Sequence, residues 1–412
     1  MLLRRLRVAL SLVVLVCAPA VATPKTHSKP SQPAAARGLD AEARLIHIYQ
    51  RIGQAQTRQA LELADQLVKD HPNFALAQLV HGDLLTAQTQ PLKAMGDMPE
   101  ATARAAPGVL GELREESVLR LKALKDRPPA GMVPAQFVRL SARNRHAIAV
   151  DASRSRLYVF ENTPAGMRLQ ADYYISVGKL GIEKVVEGDL RTPLGIYFIT
   201  NTLPSKTLKD LYGAGALPIN YPNPYDMRLG KTGSGIWLHG VPRNQFARAP
   251  KATDGCIALS NPDLERILAT VQIRTTPVVI AQSLQWVSAA QSNPEWRSFE
   301  ETWSKWRAAK ANGDLTRTLA FYTSDFNNYG KTLTDWTKVL QAEMLQTKGL
   351  SVEAKDVSIL YWADKAQVQT MVVTFSEVVA GRSTGTTKRQ YWLRSPGATQ
   401  NEWKIFFEGV IG

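Results

Sequence analysis

The chain has 412 residues, 44% of them apolar and 21% charged. Those proportions exclude a wholly disordered chain and a collagen-like fibre, and the length suits two to four domains of roughly 100–200 residues. Lysine and arginine outnumber aspartate and glutamate by 14, a balance that raises nucleic acid, membrane surfaces and acidic polymers as partners.

Residues 1–22 read as an export signal. Arg4, Arg5 and Arg7 precede an apolar run over 8–18, which is too short to span a bilayer core of about 30 Å. Ala20-Val21-Ala22 has the small-x-small pattern of a cleavage site. A lipoprotein signal using Cys17 is disfavoured by bulky Val16. Export predicts a periplasmic location and argues against a nucleic-acid partner. Cleavage removes three arginines, lowering the net charge from +14 to +11, and leaves Cys256 as the single cysteine. An odd exported cysteine is a candidate reactive thiol. No later stretch is long and apolar enough for a stable membrane span.

Residues 23–38, rich in Pro, Ala, Ser and Lys, predict a flexible tether. Over 39–127 the pattern is helical. Leu61, Leu63, Ala64 and Leu67 recur at helical spacing, Asp70-His71-Pro72-Asn73 turns, and Phe74, Ala77, Val80 and Leu84 restart the period. This helix pair looks like one tetratricopeptide-type repeat, or equally a small bundle, with helices at 39–53 and 100–125 closing it.

Arg127-Pro128-Pro129-Ala130-Gly131 breaks the helices, and from Phe137 the period is two. Strands are predicted at 146–150 and 156–160, joined by the Asp151–Ser155 turn, and at 173–177, 195–200, 235–239, 256–259 and 276–281. One helix interrupts them, capped by Ser260 or Asn261, with Pro262 in its first turn and Leu264, Ile267 and Leu268 on its apolar stripe. Many short strands with Gly/Pro-rich connections predict a mostly-β sandwich or barrel over 137–285.

Beyond Gln285, Trp296, Phe299, Trp303 and Trp306 share one helix face, read as core. Helices are predicted at 315–322 and 333–346, then strands at 351–361, 366–379, 386–394 and 402–410. Helices followed by an antiparallel sheet predict an α+β domain over 290–412. The whole chain is therefore multidomain, running from helical through mostly-β to α+β.

The chemistry concentrates in the central domain. The run Gly235-Ile236-Trp237-Leu238-His239-Gly240 is a strand ending in histidine, and Cys256 follows seventeen residues later within Thr253-Asp254-Gly255-Cys256. A free thiol, with a pKa of about 8.5, is mostly protonated at neutral pH, so acyl transfer requires a base such as imidazole. Gly255 permits a tight turn that aims backbone N–H groups at a developing oxyanion. On residue types alone, a buried small cysteine and a core histidine are the commoner explanation. No histidine falls in a metal-ligand spacing such as H-E-x-x-H, so neither metal nor cofactor is expected.

His239-Gly240 followed by Thr253-Asp254-Gly255-Cys256 resembles the signature of the L,D-transpeptidase (YkuD) family, a histidine and then Ser/Thr-His-Gly-Cys. Gly188-Asp189-Leu190-Arg191-Thr192-Pro193-Leu194-Gly195 resembles the family's Thr-Pro-x-Gly segment, and the likeness covers about residues 145–282. The resemblance implies a mostly-β fold and a cysteine acyl-enzyme acting on peptidoglycan stem peptides in cell-wall biogenesis and cell shape. It makes Cys256 the nucleophile attacking the carbonyl at the L-centre of diaminopimelate, His239 the general base and acid, and the Gly240 backbone carbonyl the group orienting His239.

Two departures stand out. Asp254 replaces the usual histidine, and Ala258 stands where many members carry Arg or Asn. The Asp254 carboxylate is expected to hold a loop or raise the thiol pKa. Thr253, Asp254, Arg243 and Arg191 are the candidate substrate-binding residues, the two arginines as replacement carboxylate ligands.

The C-terminal segment is similar in element order to the cone-shaped fold of nuclear transport factor 2 and ketosteroid isomerase, and a binding role is expected. The combination resembles a subgroup containing L,D-carboxypeptidases and enzymes that detach lipoproteins from the wall. A wall-attached lipoprotein, or another protein held by the N-terminal helices, is thus a further expected partner. The competing readings are a catalytically inactive wall-binding protein and a protein-assembly scaffold.

Overall fold

The computed structural model describes residues 34–97, 108–289, 294–398 and 402–411; the leader and residues 23–33 of the expected tether lie outside these. Helix α1 (Ala34–Gly53) begins inside the stretch read as tether, because Ala34-Ala35-Ala36-Arg37 is a run of strong helix formers. Next come α2 (Thr57–Asp70), α3 (Ala75–Thr86) and α4 (Val109–Lys125). Residues 100–107 of the expected last helix are outside the described residues.

Ala41, Leu45 and Ile48 of α1, Ala60, Ala64 and Leu67 of α2, and Leu76, Ala77, Val80 and Leu84 of α3 form one core. Helix α4 contributes differently. It buries Glu116 and Arg120, and Arg120 donates to Glu116 at 2.8 Å and to Glu42 of α1 at 2.6 Å. Glu42 also pairs with Arg156 of the central domain at 2.9 Å, and Arg156 with Asp172. Each buried charge therefore meets an opposite one, which offsets its desolvation. This network ties the helices to the central domain.

The central domain stacks two sheets over one core. A five-stranded sheet runs in the order Gly166–Tyr174, Arg156–Thr163, His146–Asp151, Pro277–Ala281, Gly195–Phe198. A four-stranded sheet runs Ile257–Ala258, Trp237–His239, Gly215–Pro218, Leu203–Pro204. Ile148, Val150, Val278 and Ile280 of the first face Leu217, Leu238 and Ile257 of the second, with Leu264 and Ile267 of the helix Asn261–Thr270. Ser260 caps that helix by accepting the Asp263 N–H. The strand expected over 173–177 begins earlier, at Gly166, and ends at Tyr174. Its first half alternates with polar residues because it is the sheet edge.

The other face of the five-stranded sheet is also covered. Ala147, Ala149, Phe160, Ile196 and Phe198 pack against Leu360, Val372, Tyr391, Phe406 and Phe407 of the C-terminal sheet. Double burial explains the unbroken apolar runs in these strands.

The C-terminal sheet has strands Val352–Ala363, Gln369–Val379, Thr386–Arg394 and Lys404–Val410, all antiparallel, and its second face receives Phe299, Trp303 and Trp306. The tryptophan stripe is thus core. The fifth strand, at the edge beside Val352–Ala363, is Phe137–Arg139. Residues assigned by periodicity to the central domain therefore complete the C-terminal sheet. Among the described residues, no helix is long and apolar enough to cross a membrane.

Candidate active site

The strand Trp237–His239 alternates cleanly. Leu238 enters the core, while Trp237 and His239 point to the opposite side. Cys256 immediately precedes the parallel partner strand, whose register sets Ile257 beside Leu238 and Ala258 beside His239. That register continues Cys256 to the level of Trp237, on the face that carries His239.

His239 is 3% exposed. Its Nδ1 lies 2.6 Å from the Gly240 carbonyl. A carbonyl only accepts, so Nδ1 carries the proton and Nε2 keeps its lone pair. Tyr212 packs edge-on against the imidazole, with ring centroids 5.2 Å apart, and its carbonyl accepts the Gly240 N–H at 3.1 Å. Only glycine fits at 240, because a Cβ there would lie 2.1 Å from Asn261 Oδ1. Asn261 fixes the next residue: its Oδ1 accepts the Val241 N–H at 3.1 Å and its Nδ2 donates to the Val241 carbonyl at 2.9 Å.

The Cys256 turn is held by two threonines. Thr253 Oγ1 donates to the Cys256 carbonyl at 2.6 Å and accepts the Gly255 N–H at 3.2 Å. Thr192, fully buried, donates to the Gly255 carbonyl at 2.9 Å. Gly255 has φ +125°, and a Cβ on it would meet the Arg191 carbonyl at 2.8 Å. Its N–H is engaged with Thr253, so Gly255 serves the turn in this arrangement.

Burial pushes the Cys256 thiol up, assisted by Asp254 and opposed by the Trp237 N–H, Arg248 and Lys184. Burial likewise lowers His239 to about 4, against the pull of its bond to Gly240. Both directions favour the neutral thiol and the neutral imidazole over a preformed ion pair. The thiol itself donates to the Gly235 carbonyl at 3.4 Å.

The other expected residues are dispersed. Asp254 is 74% exposed and pairs with Lys179 at 2.8 Å, and its charge is among those that push the thiol up. Arg191 turns its guanidinium to the Ile182 carbonyl at 3.0 Å, and its backbone abuts Gly255. Arg243 is exposed, 3.8 Å from Asp210, and its carbonyl accepts from the Asn73 side chain. Sequence reading missed the part Asn261 plays beside Gly240, because nothing in its spacing marks it.

The loop of residues 241–250 leads from the His239 strand towards the Cys256 turn and is anchored by the helices. Phe246 enters the helical core, and its N–H donates to the Asn73 carbonyl at 3.0 Å. A cavity of about 500 Å³ opens at this junction, lined by Phe74, Leu76 and Leu113 and by Pro242, Gln245 and Arg248.

The L,D-transpeptidase catalytic domain (YkuD) family matches residues 145–280, and the Cds6 C-terminal NTF2-like domain matches residues 298–409. Among solved structures, Bd1075 from Bdellovibrio bacteriovorus is 25% identical with a TM-score of 0.55, over 68% of this chain and 98% of its own. The helical cell shape determining protein Pgp2 from Campylobacter jejuni shares the fold at 21% identity and a TM-score of 0.51, over 72% of this chain and all of its own. No curated protein matches by sequence. The helices before residue 145 precede both family matches. Between those helices and an NTF2-like domain, the chain carries an L,D-transpeptidase catalytic domain of the YkuD family.

Proposed function

We propose that the protein is an exported, periplasmic cysteine enzyme that opens peptidoglycan stem peptides at the L-centre of diaminopimelate. The observation that carries this reading is the His239 Nδ1–Gly240 carbonyl bond at 2.6 Å, on a strand beside the Cys256 turn. It leaves Nε2 as a base without a side-chain acid as third member.

In the proposed cycle Nε2 takes the thiol proton as Sγ attacks the carbonyl carbon. The tetrahedral intermediate collapses as His239 returns that proton to the departing D-alanine amine, leaving a thioester on Cys256. Water, deprotonated by His239, then attacks the thioester and releases a tripeptide stem. Hydrolysis is favoured over cross-linking because Ala258, 2% exposed, supplies no ligand for a second charged stem. Cleavage of another group attached to diaminopimelate, such as a lipoprotein, follows the same chemistry. The NTF2-like domain, which shares a core with the catalytic sheet, is assigned a wall-binding role.

The test supplies disaccharide tetrapeptide with and without excess D-amino acid and weighs the products. Tripeptide alone supports the hydrolase. Cross-linked dimers or efficient exchange of the terminal residue would make the enzyme a transpeptidase, and unchanged substrate would remove the enzymatic reading.

A further inference from the structure

Where the catalytic and NTF2-like domains meet, a cleft of about 760 Å³ opens, a size that suits a small ligand or a short stretch of polymer. The C-terminal sheet lines it with Trp362 and the turn 363–367, and the catalytic domain with Gln136, Gln285, Tyr225 and the loop around Lys184. Hydrogen bonds fix these elements against one another. The Tyr361 N–H donates to the Gln136 carbonyl at 2.9 Å, the Ala135 N–H to the Gln285 carbonyl at 2.8 Å, and the Tyr225 hydroxyl to Asp364 at 2.5 Å. The cleft is therefore preformed, which lowers the cost of binding.

Each charged side chain in the lining already has a partner. Lys184 meets Asp189 at 2.8 Å, Lys231 meets Asp226 at 2.8 Å, and Lys365 meets Glu183 at 2.5 Å. Asp364 accepts from Tyr225 and from the Val368 N–H at 2.9 Å. A charged ligand would enter without a counter-ion and lose its hydration. What the lining offers instead is neutral. Gln282, Gln285 and Gln367 are exposed, and Gln136 has a buried side-chain oxygen without a hydrogen-bond partner. A primary amide both donates and accepts two hydrogen bonds, which matches hydroxyl and acetamido groups. Trp362, packed against the core shared by the two sheets, and the exposed Val185 and Leu229 add apolar surface for the C–H faces of a sugar ring.

We propose that this cleft binds an uncharged, N-acetylated oligosaccharide. Identifying that sugar as the glycan strand of the wall rests on the wall-enzyme reading above; sugar binding itself does not. The cleft and the cysteine share a support. The loop that lines the cleft with Lys184, Val185 and Leu194 also carries Thr192, whose hydroxyl donates to the Gly255 carbonyl beside Cys256. A glycan strand held here concentrates its stem peptides at the catalytic domain.

The test titrates the mature full-length protein with a β-1,4-linked tetramer of N-acetylglucosamine by calorimetry. Wild type should bind it with little change between about 50 and 500 mM salt, because no ion pair forms. The de-acetylated tetramer, cationic in mild acid, should bind at least about 10-fold more weakly. Trp362→Ala should lose about 10-fold or more, as for truncating an aromatic anchor. Because Trp362 also supports the core, a second variant combines Gln282→Ala with Gln367→Ala, both at exposed positions; it should keep the fold and lose about 5- to 100-fold, the range for two hydrogen bonds. No binding by wild type, binding unaltered in both variants, or a preference for the cationic tetramer would overturn the proposal. So would displacement of the sugar by a stem tripeptide that carries none, which would make the cleft a peptide site. Cys256→Ala should bind the tetramer as wild type does. Wild-type protein that binds the tetramer as described yet leaves disaccharide tetrapeptide uncleaved would count against the cysteine reading alone.

Discussion

Phe246 of the active-site loop stacks on Phe74 of the helical domain, with ring centroids 4.2 Å apart, and His71 meets it edge-on at 5.4 Å. The loop joining the histidine strand to the cysteine turn is thus pinned at its middle by a separate domain. Its ends are pinned by the catalytic domain itself, at Val241 by Asn261 and at Pro250 by the Val177 N–H.

Removing the pin should therefore be felt at the active site. Phe246→Ala is expected to cost about 3–5 kcal/mol in urea unfolding, the range for truncating a buried aromatic, and to lower kcat/KM by loosening the loop 241–250. Phe246→Leu should recover most of both. An alanine variant with lost stability but unaltered kinetics would show that the helices hold the loop without serving the chemistry.

The pH behaviour follows from burial of His239. Its folded pKa is about 4 against an ordinary 6.5. Between those values the unfolded chain binds a proton that the folded chain does not, so stability falls as pH drops through this window and levels off below it. Activity should stay flat between about pH 5 and 8, where an ordinary histidine titrates, and decline only towards 4. From the sequence, with an unperturbed histidine, the decline is expected within that window; the desolvated strand position moves it down. A kcat/KM profile falling near 6.5 would contradict the buried neutral base. His239→Ala should cost at least the 10²–10⁴-fold typical of a lost acid–base group.

Asp254 is one of the groups raising the thiol pKa, and it is exposed. Asp254→His should therefore be tolerated, lower the thiol pKa, and speed alkylation of Cys256 by iodoacetamide near pH 8 at low salt. High salt should shrink the difference, because surface charges are screened. An inert but folded histidine variant would mean that the carboxylate acts directly on substrate.

Much of this arrangement was legible in the sequence where one physical signal dominated. Trp296, Phe299, Trp303 and Trp306 read as a buried stripe, and the helix Leu333–Gln346 falls where its period places it. His239 and Cys256 stood out by residue chemistry and motif. Short strands such as Gly215–Pro218 were illegible because four residues flanked by glycine and proline carry no period. The pairing of Phe137–Arg139 with the C-terminal sheet was illegible, because alternation shows that a strand exists and not which edge it joins. The seating of the loop 241–250 was invisible for a related reason: it is set by contacts of Phe246 and of the Arg248 carbonyl with the helices and Tyr174, all distant in sequence.

The central claim is a thioester on Cys256, and intact-protein mass measurement tests it most directly. Mature protein is mixed with disaccharide tetrapeptide, quenched in acid within the first turnovers, and weighed. Wild type should gain the mass of the muropeptide less D-alanine, and fragmentation should locate it at Cys256. Cys256→Ser, close in volume but a poor nucleophile beside this base, should fold normally, gain no mass and release no D-alanine. D-alanine release by the serine variant at the wild-type rate would contradict the account.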